Sequence, residues 1–270
     1  MQASANYIQL SPFDLSLAAI LVILLVLLSV RLRLGLALQL TIAAVRTAVQ
    51  LTLVGLVLHL IFAQIHLGWV LLMALVMLLA AGREVMQRQH HRFSGWWGFG
   101  VGAMSMFVSS FSVTLFALLL IIGPDPWYTP QYSIPLLGML LGNTMNGISI
   151  GLDRLTQNVW IQRAVIENRL MLGHDWNQAV AGLRRESIRS GLIPIINAMA
   201  AAGIVSLPGM MTGQLLHGAV PMDAVKYQIL IMFLIASGTG FGVYFAVWSA
   251  SKHLFDERQR LRLDRLRIRE

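Results

Sequence analysis

Seven long apolar runs recur along the chain, and no other feature of the sequence restricts the fold so tightly. They are Phe13–Val30, Leu34–Phe62, Leu67–Ala81, Gly98–Ile122, Tyr132–Leu152, Leu192–Thr212 and Val225–Ala250. A helix needs roughly 20 apolar residues to cross about 30 Å of hydrocarbon. Sustained runs of this length are helical, because a barrel strand would show about ten residues of alternating polarity. Composition agrees: 12% of the residues are charged, against about 25% in a soluble domain. The expected fold is an all-α integral membrane protein with about seven transmembrane helices. The second run is long and the third short, which calls for tilt or local adjustment.

The basic residues alternate between connections. Arg31 and Arg33 follow the first run, and Arg83, Arg88 and Arg92 the third. Six arginines between Arg154 and Arg189 follow the fifth run, and Lys252 with six more follows the last. The remaining connections hold almost no Lys or Arg. Retention of positive charge in the cytoplasm then puts the N-terminus outside and the C-terminus inside. The same bias accounts for the net charge of +8, so nucleic acid is not an expected partner. No basic residue precedes the first run, so that run reads as a retained helix and not as a secretory signal. The absence of cysteine excludes disulfides and thiolate metal sites. Residues 1–270 read as a single transmembrane domain without repeats. Phosphate-binding-loop, nucleophile-elbow and zinc-protease motifs are missing, so no catalytic residue is expected and no cofactor in this chain. If ATP drives the protein, ATP and Mg²⁺ belong to another chain.

The longest polar insertion, about 153–191, reads as a helical hairpin with a basic tail, 252–270, elsewhere on the same side. Leu152, Leu155, Val159, Ile166 and Leu170 recur at helical spacing and extend the fifth run as an amphipathic helix. Gly173 breaks it. Asp175 is the expected N-cap of a second helix that runs through Ala179, Leu183 and Ile188 before Pro194. Such a hairpin is either a solvated connection or an element that passes force from a motor to the spans.

Four stretches, "IPLLGMLLGNTMNGISIGL", "RRESIRSGLIP", "GIVSLPGMMTGQLLHG" and "AVKYQILIMF", resemble the permease subunit of FetB-type ABC transporters, a family with plant relatives linked to aluminium tolerance. The resemblance runs from about Arg46 to Ala250. It implies a permease in the bacterial inner membrane, paired with a separate cytoplasmic ABC ATPase as two permeases and two ATPases, with export of iron or another metal ion as its role. Glu167 and Gly173 stand six residues apart, as in the coupling motif of importer permeases, although the downstream proline of that motif is out of place. Leu172, Gly173, Arg185, Glu186, Ser187, Ile188 and Arg189 follow the FetB-type pattern, with His174 where an alanine is expected. Glu167, Gly173, Arg185, Glu186 and Arg189 are therefore the candidate ATPase-coupling residues.

Polar residues inside the runs are the candidates for a substrate path. Arg46 lies about 18 Å into the second run at 1.5 Å per residue, with Gln39 and Gln50 on the same face. An arginine at such depth is costly unless paired or hydrated. Asn143 and Asn146 approach its level from the fifth run. Met145, Asn197, Met210 and Met211 complete the candidate set. Gly138, Gly142, Gly147 and Gly151 form two small-x3-small pairs suited to close helix packing or to a dimer seam. Ser206-Leu207-Pro208-Gly209 is expected to end or kink the sixth helix, and a broken helix often frames a transport site. Methionine sulfur suits soft metals better than iron. His59, His66, His217, Asp14, Asp125 and Asp223 gather on the expected outer side without ligand spacing, so the metal ligands stay unknown. Arg258, Arg262, Arg265 and Arg269 fall on one face of a helix at the C-terminus, suited to anionic lipid headgroups or to the ATPase. A permease homodimer is the expected assembly. The alternatives are an ATPase-independent channel or secondary carrier, for which the chain lacks the membrane carboxylates that carry protons, and an ABC permease for a non-metal cargo.

Overall fold

The computed structural model describes residues 11–63, 65–93 and 96–268; Arg269 lies outside them. The protein is a mostly helical integral membrane protein. Among the described residues five helices are long and apolar enough to cross a membrane: Pro12–Arg31, Ala37–Ala63, Leu67–Gln87, Trp97–Ile122 and Pro221–His253. They correspond to the first four apolar runs and the last. The fifth run belongs to a helix, Pro130–Ile161, that carries polar side chains along with its apolar stretch, and the sixth is divided between the helices Ala181–Ala201 and Gly209–Leu216.

The chain divides into two compact units. The first contains helices α1 (Pro12–Arg31) and α2 (Ala37–Ala63), together with residues 214–219. Helix α1 begins at a capping box: the Ser11 side chain accepts from the Asp14 amide while Asp14 accepts from the Ser11 amide, and Pro12 takes the first helical turn. Arg33 and Gly35 adopt positive φ in the tight connection to α2.

The second unit contains residues 67–213 and the chain from Val220 onward. Helix α3 (Leu67–Gln87) leads to strand β1 (His91–Phe93). Helices α4 (Trp96–Met106) and α5 (Ser112–Phe116) are joined and followed by wide turns of π geometry at Phe107–Phe111 and Ala117–Ile122. Helix α6 (Pro130–Ile161) is the centre of the unit and packs against α3, α4, α9 (Ala181–Ala201) and α11 (Pro221–His253). Short helices α7 (Arg163–Met171) and α8 (Trp176–Ala179) form the tip between α6 and α9, and α10 (Gly209–Leu216) lies between α9 and α11. Strand β2 (Leu266–Ile268) pairs antiparallel with β1.

Glycine sets the spacing of α6, α9 and α11. A Cβ on Gly191 would lie 2.7 Å from the Gly147 carbonyl oxygen, and one on Gly147 would meet Thr239 Cγ2 at 2.7 Å. Without these side chains the helices reach a separation that a methyl group would forbid, so packing contacts replace the absent hydrophobic drive in lipid. Gly147 and Gly151 are thus used inside the chain, between its own helices. A Cβ on Gly142 would meet nothing within 4 Å. Hydroxyls accompany the seam: Ser109, Ser110, Thr144 and Thr239 are buried, and Thr114 Oγ1 donates to the Ser110 carbonyl. Gly242 admits Thr144 and Ser109 at its surface.

Two expectations change here. Pro194 lies inside α9, so the hairpin helix continues without interruption into the sixth run as far as Ala201. The C-terminal arginines do not share a helical face, because the tail is not a helix: Phe255 pairs with Leu261, a 3-10 turn follows at Leu263–Arg265, and β2 completes it. Leu266 and Ile268 alternate with Arg267 at strand spacing, and β1 supplies the partner edge.

Candidate functional site

Three basic segments that are distant in sequence come together in the second unit. The His90 amide donates to Asp153 Oδ1 at 2.9 Å, which ties the α3–α4 connection to α6. Gln157, one turn further along α6, donates to the other Asp153 oxygen at 2.8 Å. The Trp176 amide donates to Gln259 Oε1 at 3.0 Å, and the Trp176 ring faces Phe255, so the tip of the hairpin is fixed to the tail. The β1–β2 pairing ties the tail back to the α3–α4 connection.

Between hairpin and tail lies an open cleft of about 730 Å³, lined by Glu167, Gly173, His174 and Asp175 from the hairpin and by Arg258 and Arg260 from the tail. Gly173 builds its inner corner. With φ of +91° it reverses the chain after α7, and the His174 amide closes the turn on the Arg169 carbonyl at 3.1 Å. Asp175 then caps α8 by accepting from the Gln178 amide at 2.7 Å. On the tail side, Asp256 accepts from the amides of Arg258 and Arg260 and from the Arg260 guanidinium. Hydrogen bonds from Arg260, its backbone amide above all, hold the Asp256 carboxyl below its ordinary range. Arg262 holds the Asp264 carboxyl at about 2 through a paired hydrogen bond, and the same pairing raises the pKa of Arg262. The tail is thus a folded turn with Asp256 and Asp264 engaged, and Arg258 is exposed at the cleft.

The cleft is connected to the bundle through the short helices α7 and α8, which meet α6 at Gln162 and α9 at Val180. The apolar face of the hairpin is buried: Leu152, Leu155, Val159 and Ile166 pack with Ala179, Val180 and Leu183 and with Val247, Ala250 and Leu254 of α11 and the tail. Arg154 on α6 donates through Nε to Glu186 on α9 at 3.1 Å and through Nη2 to the same carboxylate. Below this bond, the Gly147–Gly191 contact locks the same two helices.

The candidate residues divide accordingly. Glu167 and Gly173 line the cleft, whereas Arg185 and Arg189 are exposed on α9 and Glu186 is engaged with Arg154. Asn146 Oδ1 accepts from Arg88 at 2.7 Å, and Arg88 also meets Glu84 at 3.4 Å. Asn143 turns its amide onto the Met139 carbonyl at 2.8 Å. Met145 packs at the edge of the larger core, and Met210 against a smaller one built around Leu118, Leu140, Ile195 and Ile231. Met211 is half-buried, and Asn197, Arg46 and Gln50 are exposed. Sequence reasoning did not single out Glu84, Asp153 or Gln157, nor the cleft position of Arg260. Asn146, Asp153 and Gln157 recur at i, i+7 and i+11, a polar stripe on α6 that could have been read.

The helix break takes an unexpected form. Helix α9 ends at Ala201, several residues before Pro208, and Pro208 and Gly209 open α10. Gly203 has φ of +82°, and the Ala201 carbonyl accepts from the amides of Val205 (2.9 Å) and Ser206 (3.1 Å). The break therefore satisfies much of its own backbone. Pro208 suits the start of a helix because its missing amide costs nothing there. Among the described residues no three His, Asp or Glu groups converge on a point that could hold a metal ion.

Residues 12–255 match the family described as an uncharacterised protein family, UPF0014. The chain belongs to this family. Its UPF0014 relatives include the membrane protein slr1647 of Synechocystis, 40% identical over 80% of this chain and 83% of the relative. Protein ALUMINUM SENSITIVE 3 of Arabidopsis thaliana is 34% identical over 69% of this chain and 66% of its own length. A protein of Escherichia coli named "Probable iron export permease protein FetB" is 31% identical over 82% of this chain and 83% of its own length. No solved structure matches this UPF0014 chain.

Proposed function

We propose that the protein is the membrane permease of an ABC transporter in the bacterial inner membrane, energised by a separate cytoplasmic ATPase, and that it exports iron or another metal ion. The observation that carries this reading is the packing of the cleft tip, through Ile166 of α7 and Ala179 of α8, into the same core as α6, α9 and α11, whose helices run on into the glycine-packed bundle. A load applied at Gly173 reaches two walls of the bundle through that buried contact. The similarity to the Escherichia coli permease over most of both chains supports the transport role and the cargo. On this reading the seven apolar runs cross the membrane, and the hairpin, the α3–α4 connection and the tail face the cytoplasm, as their arginines require. Two copies assemble with two ATPases. Glu167, Gly173, Arg185 and Arg189 receive the ATPase, while Glu186 ties the hairpin to α6. Arg46, Gln50, Asn143, Met145, Asn146, Asn197, Met210 and Met211 remain the candidate path, with Arg88 held over Asn146 at its inner end.

The test is co-purification with a candidate ABC ATPase of the same organism, followed by hydrolysis and iron flux in vesicles. Gly173→Pro is expected to preserve membrane insertion while lowering ATPase capture or uncoupling hydrolysis from flux. Normal capture, hydrolysis and flux in that variant would refute the coupling role of the turn.

A further inference from the structure

Two neighbouring depressions on the second unit form one amphiphilic groove. The first, about 380 Å³, lies between α4 and α11 and is lined by Gly100, Val101, Met104, Val108 and Phe245. The second, about 360 Å³, lies at the end of α11 and is lined by Trp248, Lys252, His253 and Arg265. Trp97 and Ser249 line both, so one runs into the other. The chemistry changes along the groove, from hydrocarbon along two membrane helices to two cations where those helices end. Trp97 stacks on His253 at 3.5 Å and 10°, forming a flat aromatic wall at the change. Lys252 lies over the Trp248 ring at 5.7 Å. Arg265 is fixed by Nη1, which donates to the His253 carbonyl at 2.5 Å and to the Phe255 carbonyl at 3.4 Å. Among the described residues no carboxylate lines either depression, and Asp256 and Asp264 are engaged with Arg260 and Arg262.

We propose that this groove binds one anionic glycerophospholipid, with its phosphate between Lys252 and Arg265 and an acyl chain along α4 between Gly100 and Phe245. Several observations favour this occupant. The groove opens sideways through Met104, Val108 and Phe245, which are 61%, 39% and 44% exposed, on helices that cross the membrane. From Trp97 to Val108 it extends about 16 Å along the helix at 1.5 Å per residue, a length suited to an acyl chain. Tryptophan belongs at the headgroup level, and basic pockets at helix ends recognise anionic headgroups. The tail therefore meets lipid through one arginine held in place by its own fold, and not through a helical row of arginines. The site is independent of whether an ATPase binds the chain.

The experiment uses the full-length protein, delipidated in detergent and titrated with phosphatidylglycerol, phosphatidylcholine or glycerol phosphate, with bound molecules counted by native mass spectrometry. Phosphatidylglycerol should bind more tightly than phosphatidylcholine. Lys252→Ala should weaken it about fivefold, the equivalent of one basic group near an anionic surface. Gly100→Leu tests the apolar half. A Cβ there meets nothing within 4 Å, so the leucine should fill the groove with the protein's melting profile unchanged, and weaken both phospholipids. Equal binding of the two lipids by the wild type would overturn the proposal. So would competition by glycerol phosphate as strong as by the whole lipid, or undiminished lipid binding by a folded Gly100→Leu variant.

Discussion

The contact between Gly147 and Gly191 allows a quantitative test of the bundle. Alanine at 191 would place its methyl carbon 2.7 Å from the Gly147 carbonyl oxygen and 2.9 Å from Val243 Cγ1. The valine has little freedom to turn, since a β-branched side chain in a helix strongly prefers one rotamer. The carbonyl belongs to the α6 backbone and cannot move without the helix. Helices α6 and α9 must therefore separate, and such overpacking costs about 1–3 kcal/mol. Alanine also gains about 1 kcal/mol of helix propensity over glycine, which would mask part of that cost. Gly142→Ala, in the interior of α6 where the added carbon meets nothing within 4 Å, has the same gain without the clash. The difference between the two variants should thus be about 1–3 kcal/mol, with Gly191→Ala the less stable. Reversible unfolding of the purified protein in mixed micelles, titrated with a denaturing detergent, measures it. Adding Val243→Ala should recover only part of the loss, because the carbonyl clash persists. Identical transitions for Gly191→Ala and Gly142→Ala would refute the argument that glycine sets the helix separation.

Arg154→Glu and Glu186→Arg should each lower the melting temperature slightly, by less than about 1 kcal/mol per lost attraction for a half-exposed pair, and the double exchange should restore it; failure of the exchange to recover stability would show that the pair does not join α6 to α9. Arg46→Leu should reduce either thermal stability or transport, and Arg46→Lys should be only partly tolerated because the planar fork is lost; wild-type values of both in the leucine variant would refute a role for the guanidinium. Acidification should loosen the tail, since the carboxyls of Asp256 and Asp264 have folded-state pKa values lowered from 3.8, that of Asp264 to about 2. Their contribution is complete above the unfolded value and is lost as pH falls through the folded one. Pepsin cleavage near Leu261 should accordingly increase from pH 4 to pH 2 in the wild type, whereas Asp256→Asn should be cut readily at both; equal cleavage of the wild type across that window would contradict the assignment.

Features governed by neighbouring residues were legible in the sequence. The turn at Gly173, the cap at Asp175 and the apolar face from Leu152 to Leu170 all depend on residues within a few positions, and the structure has them where they were expected. The tail was not legible in the same way. Its arginines fit a helical face, and its leucines fit a strand; the choice was made by β1, far away in the chain. The end of α9 was decided by the turn that Gly203 permits, while the more conspicuous Pro208 serves the next helix. The small-x3-small spacing announced close packing, but only the structure pairs Gly147 with Gly191 and leaves Gly142 outside the contact. Asn146 looked like a partner for another membrane residue, and its bond to Arg88 spans 58 positions, a distance at which spacing in one sequence carries no signal.

The pairing of β1 with β2 has a consequence for biosynthesis. His91 to Phe93 leave the ribosome roughly 175 residues before Ile268 to Leu266, their strand partners. At about 5–20 residues per second, the first strand waits on the order of ten to thirty seconds, while the later helices are still being inserted. During that interval its edge is unpaired, and Phe93, buried in the finished protein, has no tail to cover it. An exposed strand edge of this kind invites other partners. Strand β2 is therefore the clasp that closes the second unit, and a chain cut short between Asp256 and Leu266 would have its helices with their basic end still open.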